Sequence, residues 1–267
     1  MTTYHFQLGD FQCMAINEES RRMDAARLFA SRSAEEREQI LGAEIAREGI
    51  PVSTNILCVN TGTRRLMVDS GMGTEGRIVQ ALAAEAVQPG DIDHVLITHG
   101  HIDHVGGLAD LSEKRLIFPN ARYAIPRAEW EYWTNEGNLQ PLDETRATTW
   151  RVLRELLAGK VDLFEPGDEI LPGIQAVDAC GHSPGMVALL FESRGERLLH
   201  IADTAHHPFQ IKHTDWVPRF DMHPEGAAQA RQRLFARAAA ENLLVMAFHF
   251  SHPGLGHVRG DDWQPLG

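Results

Sequence analysis

Residues 98–107 read Thr98-His99-Gly100-His101-Ile102-Asp103-His104-Val105-Gly106-Gly107. The apolar run Val95, Leu96 and Ile97 stands directly before them, so a buried strand opens here into a loop rich in metal-binding groups. His99 and His101 are two residues apart, and side chains two apart on an extended backbone point the same way. Asp103 and His104 lie past a turn and can face a second position, so one short loop can serve two adjacent ions. Imidazole and carboxylate suit zinc, iron, manganese or cobalt, and the loop has no thiolate to impose a closed structural zinc site. The bland alternative is a solvated histidine-rich turn. Four ligand-type residues within six, between a buried strand and a Gly-Gly pair, argue against it.

Around this loop the pattern is one of short apolar runs bounded by turn residues. Asn55–Asn60, Arg64–Gly71 and His94–His101 read as buried strands feeding loops, with a helical stretch at 76–86 between the last two. Further strands are expected at 122–125, 161–164, 174–178, 187–192, 197–202 and 243–248, and helices at 126–134, 145–158 and 225–240. Strands in both halves with helices interspersed predict an α/β protein: an αββα sandwich of two mixed β-sheets flanked by helices. Residues 19–47 are rich in Ala, Arg, Glu and Leu, and Ser33 with Glu36 three positions on forms a capping box. They predict a helical excursion at 19–47 ahead of the core. With no internal repeat or linker, residues 1–267 read as a single domain.

The chain of 267 residues is 43% hydrophobic and 23% charged, ample for a large buried core. A formal charge of −12, with Lys and Arg scattered singly, argues against a nucleic-acid partner. No stretch approaches the roughly 18 apolar residues of a membrane span, and the first twenty residues lack a signal-peptide pattern, so a cytoplasmic protein with no membrane partner is expected. Cys13, Cys58 and Cys180 are odd in number and widely spaced, which reads as reduced thiols.

The spacing His99-x-His101-x-Asp103-His104 resembles the HxHxDH motif of the metallo-β-lactamase superfamily, and the resemblance extends in order along roughly residues 54–252. Asp69 lies in Val68-Asp69-Ser70-Gly71, and His182 in Gly181-His182-Ser183-Pro184-Gly185. Asp203 follows the strand ending at Ala202, and His249 follows Phe248. The resemblance implies the metallo-β-lactamase fold, with His99, His101 and His182 on one ion, Asp103, His104 and His249 on the other, and Asp203 bridging. It makes Asp69 a residue that orients the ligand loop. Many relatives carry a histidine where this chain has Met186, a change outside the ligand set.

Two divalent ions sharing a water lower its pKa from about 16 to about 7 and polarise a carbonyl or phosphoryl oxygen. Hydrolysis by the shared hydroxide is therefore the chemistry expected, with Asp103 assisting proton transfer to the leaving group. Zinc is the expected ion, with iron, manganese and cobalt open. Class B β-lactamases of the best-known type have a cysteine where Asp203 stands, and glyoxalase II relatives a histidine where Gly100 stands. The excursion, the segment Phe220–Arg231 and the tail His249–Val258 instead resemble the methyl parathion hydrolase and quorum-quenching lactonase branch. That branch implies a homodimer acting on a small molecule: a lactone, aryl ester or phosphotriester, foremost a lactone such as an N-acyl-homoserine lactone. Alternatives are a di-iron or mononuclear-iron oxidoreductase on the same fold, or a hydrolase of a thioester or β-lactam. Trp130, Trp133, Trp150 and Phe209 are candidates for a hydrophobic mouth. His206 and His207 follow Asp203 closely enough to reach substrate, and His252 sits close to His249, where it can support that ligand.

Overall fold

The computed structural model describes residues 2–73 and 76–266. Among these, one sheet takes in spatial order Thr2–Leu8 (β1), Phe11–Met23 (β2), Ile50–Asn60 (β3), Arg65–Val68 (β4) and His94–Leu96 (β5). After a small ribbon of Ala109–Asp110 (β6) and Arg115–Leu116 (β7), Arg122–Pro126 (β8) and Val161–Phe164 (β9) complete it. β1 to β4 run antiparallel, and β4, β5, β8 and β9 are parallel. The second sheet runs Glu169–Leu171 (β10), Ile174–Asp178 (β11), Val187–Ser193 (β12), Glu196–His200 (β13), Leu244–Met246 (β14), Leu255–Arg259 (β15) and Asp262–Pro265 (β16). It is antiparallel except for the β13–β14 pair.

Period-2 alternation sorts each strand's side chains between two cores. Leu57, Leu66, Val68, Leu96 and Ala124 of the first sheet meet Ala176, Leu189, Phe191, Leu198 and Met246 of the second, forming the layer between the sheets. Their neighbours Cys58, Met67, Val95 and Tyr123 face outward onto a helical layer. That layer includes Arg77–Ala84 and Glu144–Leu156, which supply Ile78, Leu82, Trp150 and Leu153. On the other side Ala188, Leu190, Leu199 and Val245 pack against Leu234, Phe235 and Ala238 of the helix Pro224–Ala240. The αββα sandwich expected from the alternating runs is thus present. Met186 is buried in this last layer, which explains why an apolar residue is accommodated there.

The N-terminal excursion begins later than its composition suggests. β2 continues to Met23, with Ser20, Arg21 and Arg22 paired to Ser53, Val52 and Pro51, so ladder hydrogen bonds override helix-favouring side chains over residues 19–23. Three short helices follow, Ala25–Leu28, Ala34–Leu41 and Ala43–Glu48. The second starts at the Ser33–Glu36 capping box. Leu28, Phe29, Leu41, Ile50 and Trp216 bury the excursion as a satellite core. The β1–β2 and β15–β16 hairpins have no counterpart in the sequence reading. Cys13, Cys58 and Cys180 are free thiols. Among the described residues no helix is long and apolar enough to cross a membrane.

Leu57, 1% exposed, sits opposite Val68 in the inter-sheet layer. Leu57→Ala should therefore cost about 2–5 kcal/mol through lost transfer energy and a cavity. Equilibrium urea unfolding at fixed metal content checks this, and a loss no larger than that of the exposed-site change Lys212→Ala would contradict the packing described.

Candidate metal centre

The parallel strands β4, β5 and β8 deliver their following loops to one edge of the sandwich, and β13, β14 and the β11–β12 turn open at the same end. Asp69 leaves β4, His99–His104 leave β5, His182 lies between β11 and β12, Asp203 follows β13 and His249 follows β14. Backbone bonds from Ser53 N–H to His249 O (3.1 Å) and Asn55 N–H to Phe248 O (2.9 Å) tie the first sheet to the last ligand segment. Val187 N–H donates to Thr98 O (3.2 Å), joining the His99 loop to the His182 turn.

Within the loop, His101 is the N-cap of the short helix Ile102–Val105, which turns Asp103 and His104 away from the extended His99–His101 stretch. The loop is pressed against residues 69–73. Ser70 donates to His104 O through both N–H (2.8 Å) and Oγ–H (2.9 Å), and Gly107 N–H donates to Gly71 O (3.1 Å). A Cβ at Gly107 would overlap Ser70 O, so the glycine following the ligands is required by close backbone approach. A β-bulge at Glu18 holds the facing segment, its carboxylate accepting from Met72 N–H (2.8 Å) and Gly73 N–H (3.1 Å).

Two donor groups result, one of His99, His101, His182 and Asp203, the other of Asp103, His104, Asp203 and His249, with the ligand atoms of each within 4.8 Å of one another. All seven sequence-predicted ligands are brought together, and Asp203 belongs to both groups. In the first, His101 Nδ1 lies 3.1 Å from His99 Nε2 and 2.8 Å from His182 Nε2, with Asp203 Oδ2 3.3 Å from His182 Nε2. In the second, His104 Nε2 is 3.0 Å from Asp203 Oδ1, while His249 Nε2 is 3.1 Å from Asp203 Oδ2 and 3.5 Å from Asp103 Oδ2. Nitrogens each about 2.05 Å from a tetrahedral zinc lie about 3.3 Å apart, so this spacing suits a shared cation.

Proton bookkeeping points the same way. The Nδ1–H groups of His104, His182 and His249 donate outward to Asp69 Oδ2 (2.8 Å), Asp221 Oδ1 (2.7 Å) and Ser53 O (2.9 Å). Thr98 Oγ1 donates to Asp69 Oδ2 (2.8 Å) and so accepts from His99 Nδ1–H (3.1 Å). The Nε2 atoms facing inward are therefore lone pairs meeting lone pairs. His104 Nε2 and Asp203 Oδ1 are buried without any hydrogen-bond partner. Burial pushes His101 down to about 3, helped by the neighbouring His182. Burial also works against a charged His182, but Asp203 and Asp221 outweigh it and carry the imidazole up to about 9, so its inward nitrogen draws a proton where no other cation takes the lone pair. Burial raises the Asp203 carboxyl, yet His249 and His104 more than offset this and hold it well below the usual carboxylate range. Such a centre demands positive charge, and two divalent cations satisfy both the charge and the lone pairs.

Residues outside the predicted ligand set hold this geometry. Asp69, fully buried in the left-handed region at φ 60°, anchors Thr98 and His104. Asp221 orients His182 and lies 3.4 Å from the buried guanidinium of Arg231, which also donates to Thr204 O (2.7 Å), next to Asp203. Glu129, also fully buried, accepts Gly100 N–H (2.8 Å) and Trp133 Nε1–H (2.6 Å) on one oxygen, and Ser183 Oγ–H and Gly185 N–H (both 2.6 Å) on the other. It thereby locks the His99–His101 loop to the His182 turn. No local pattern announces Glu129; only its burial among the tryptophans reveals it.

Four expectations need correction. Trp130, Trp133 and Trp150 belong to the outer helical core behind the loop, where Trp133 stacks on Trp150 at 5.9 Å and occupies the space a side chain at Gly100 would need. Phe209 packs with Phe29 and Trp216 in the satellite core. His207 caps the turn Pro208–Ile211 by accepting from Phe209 N–H (3.3 Å) and does not line the cavity over the ligands. His252 bonds Asn55 (3.1 Å), which in turn donates to Phe250 O (2.7 Å), so it fastens the C-terminal loop and does not touch His249. His206 does line the cavity, with Nε2 3.3 Å from Asp203 Oδ2 and neither ring nitrogen hydrogen-bonded.

The cavity above the ligands measures about 680 Å³, and His101, Asp103, His182, Asp203, His206 and His249 form part of its wall. The sequence profile of the metallo-beta-lactamase superfamily matches residues 49–249. With the seven donors in order and the sandwich beneath them, the chain belongs to that superfamily and is a metal-dependent hydrolase. An N-acyl homoserine lactonase of Bacillus cereus is 26% identical over 180 residues, covering 67% of this chain and 64% of that protein. Among solved structures, AidC, a dizinc quorum-quenching lactonase in complex with a product, superposes with a TM-score of 0.89 at 24% identity over 99% of this chain and 97% of that one. The hydrolase AbOPH of the β-lactamase superfamily gives 0.88 at 25% identity over the same shares.

Glu129→Gln keeps the side-chain shape but turns one acceptor into a donor facing two donors, a loss of about 1–3 kcal/mol of stability. Metal affinity should fall about 10–100-fold, as measured by chelator competition. Unchanged affinity would show that the clamp does not set the ligand geometry.

Proposed function

We propose that this chain hydrolyses a carboxylic ester bond, foremost that of a lactone such as an N-acyl-homoserine lactone. The observation that carries the reading is the double use of Asp203, whose carboxylate completes both donor groups. Two divalent ions, with zinc the expected one, would supply an activated water near neutral pH and a Lewis acid for the carbonyl oxygen. The residues do the rest. His99, His101 and His182 would hold one ion, Asp103, His104 and His249 the other, and Asp203 both.

Asp103, more open to the cavity than the buried Asp203, is placed to carry a proton to the departing alkoxide. His206 is kept neutral by burial, which pushes it down to about 4. Its ring nitrogens, free of other partners, can hold the substrate's polar group against the centre. Met72, Ile102 and Phe220 give the same cavity an apolar wall for the substrate's carbon skeleton. Water adds across the acyl C–O bond, and the ring opens to a hydroxy acid. The Bacillus cereus lactonase and AidC support the lactone as the first substrate to try.

Metal analysis joined to a panel of a lactone, an aryl ester, a phosphotriester, a β-lactam and S-lactoylglutathione tests the reading. Two ions per chain and fastest turnover of the lactone are expected. Asp203→Ala should lose metal and lower turnover by orders of magnitude. Full metal content with full activity in that variant, or zinc-loaded wild type that turns over none of the panel, would sink it.

A further inference from the structure

The chain carries 37 acidic against 25 basic side chains, yet five arginines line the cavity over the metal ligands: Arg21, Arg22, Arg27, Arg146 and Arg219. The ligands are buried or half-buried and the arginines exposed, so the guanidiniums form the solvent-side part of the wall. Among the described residues, and outside the metal ligands, the one acidic residue on that wall is Asp24, whose side chain is engaged in accepting Ala26 and Arg27 N–H.

Three of the five are weakly committed elsewhere. Arg21 is 3.5 Å from Glu19, Arg146 is 3.3 Å from Asp143, and Arg22 donates to Gly49 O (2.9 Å) with Glu48 at 3.9 Å. Exposed pairs of this kind contribute little. Arg27 and Arg219 have no ion pair or side-chain hydrogen bond among the described residues. Their segments are joined, since Arg219 N–H donates to Leu28 O (2.9 Å). Like charges gathered on one wall oppose folding, so the presence there of Arg27 and Arg219, which have no counter-charge among the described residues, points to a ligand that supplies it. A guanidinium recognises a carboxylate or phosphate through two parallel hydrogen bonds.

Resting on the hydrolase reading above, we propose that among the lactones and esters of that reading the chain prefers, over an acyl-homoserine lactone with a plain arm, a substrate bearing an oxyanion, a carboxylate or phosphate remote from the scissile ester, which Arg27 and Arg219 bind within the field of the other three arginines. A substrate with a purely aliphatic arm leaves these groups unused. Arg21 and Arg22 on β2 and Arg27 in the excursion lie outside the residues 49–249 that match the superfamily, whereas Arg146 and Arg219 lie within them, so this selectivity draws on the N-terminal segment and the shared frame together.

Phenyl monoesters of the dicarboxylic acids from adipate to sebacate, compared with their methyl-capped diesters and with phenyl esters ending in a phosphate, test the proposal. At least one charged ester should exceed its neutral counterpart by tenfold or more in kcat/KM, mainly through KM, and the preference should shrink at high salt as screening predicts. The better of the two charged ends identifies the oxyanion. The Arg27→Gln/Arg219→Gln double variant should reduce the preference to below threefold, and the corresponding lysine variant should restore part of it, with thermal melting confirming that both fold. Equal kcat/KM for charged and neutral esters, or a preference surviving in the glutamine variant, would overturn it. If no phenyl ester is cleaved, the hydrolase reading is judged separately, on the lactone of the panel above. Calorimetric binding to zinc-loaded protein then decides the oxyanion site, because adipate and hexanoate share one carboxylate for the metals and only adipate has a second. Tenfold tighter adipate binding, lost in the glutamine variant, upholds the site; equal affinities reject it.

Discussion

Five imidazoles and two carboxylates held in two groups, with the donor atoms of each within 4.8 Å, impose the constraint on which this structure turns. Lone pairs packed against lone pairs in a buried site repel. The chain meets that cost from outside the centre. Four of the five imidazoles, all but His101, find a fixed acceptor for the outward nitrogen, in Asp69, Asp221, the Ser53 carbonyl or the Thr98 hydroxyl, so their inward faces cannot rotate away. The outer acceptors come from four separate stretches of chain. The centre therefore exists only when both sheets are assembled.

The sandwich makes that assembly geometrically simple. Strand alternation fills the inter-sheet layer with Leu57, Val68, Leu96 and Leu189 while turning the next residues toward the helices. With both faces of each sheet covered, the strand ends are where polar side chains can gather without disrupting a core. Glu129 then acts across the gap between the sheets, its two oxygens each taking two donors from opposite sides. A carboxylate so satisfied behaves as a four-point rivet.

Much of this was legible before any coordinates. The 99–104 spacing, the order of His182, Asp203 and His249, the buried strands and the Ser33 cap are local patterns, and local patterns survive in a linear sequence. What was hidden depends on distance along the chain. Glu129, Asp221 and Arg231 are ordinary charged residues until folding buries them. The tryptophans looked like a substrate mouth because aromatic spacing cannot say which side of a loop it packs against. Residues 19–23 looked helical because their composition carries no trace of the β3 partner that holds them extended. His252 and His207 lie close to metal ligands in sequence, yet bond to Asn55 and to a backbone turn.

The excursion between β2 and β3 brings its own small core, built on Phe29 and Trp216, and reaches the cavity without supplying any of the seven donors. The seven donors and this part of the cavity wall consequently come from different stretches of chain. Drift or deliberate exchange of residues 24–49 can retune what is admitted while the donors keep their places. Such modularity lets one hydrolytic frame diversify by editing its vestibule.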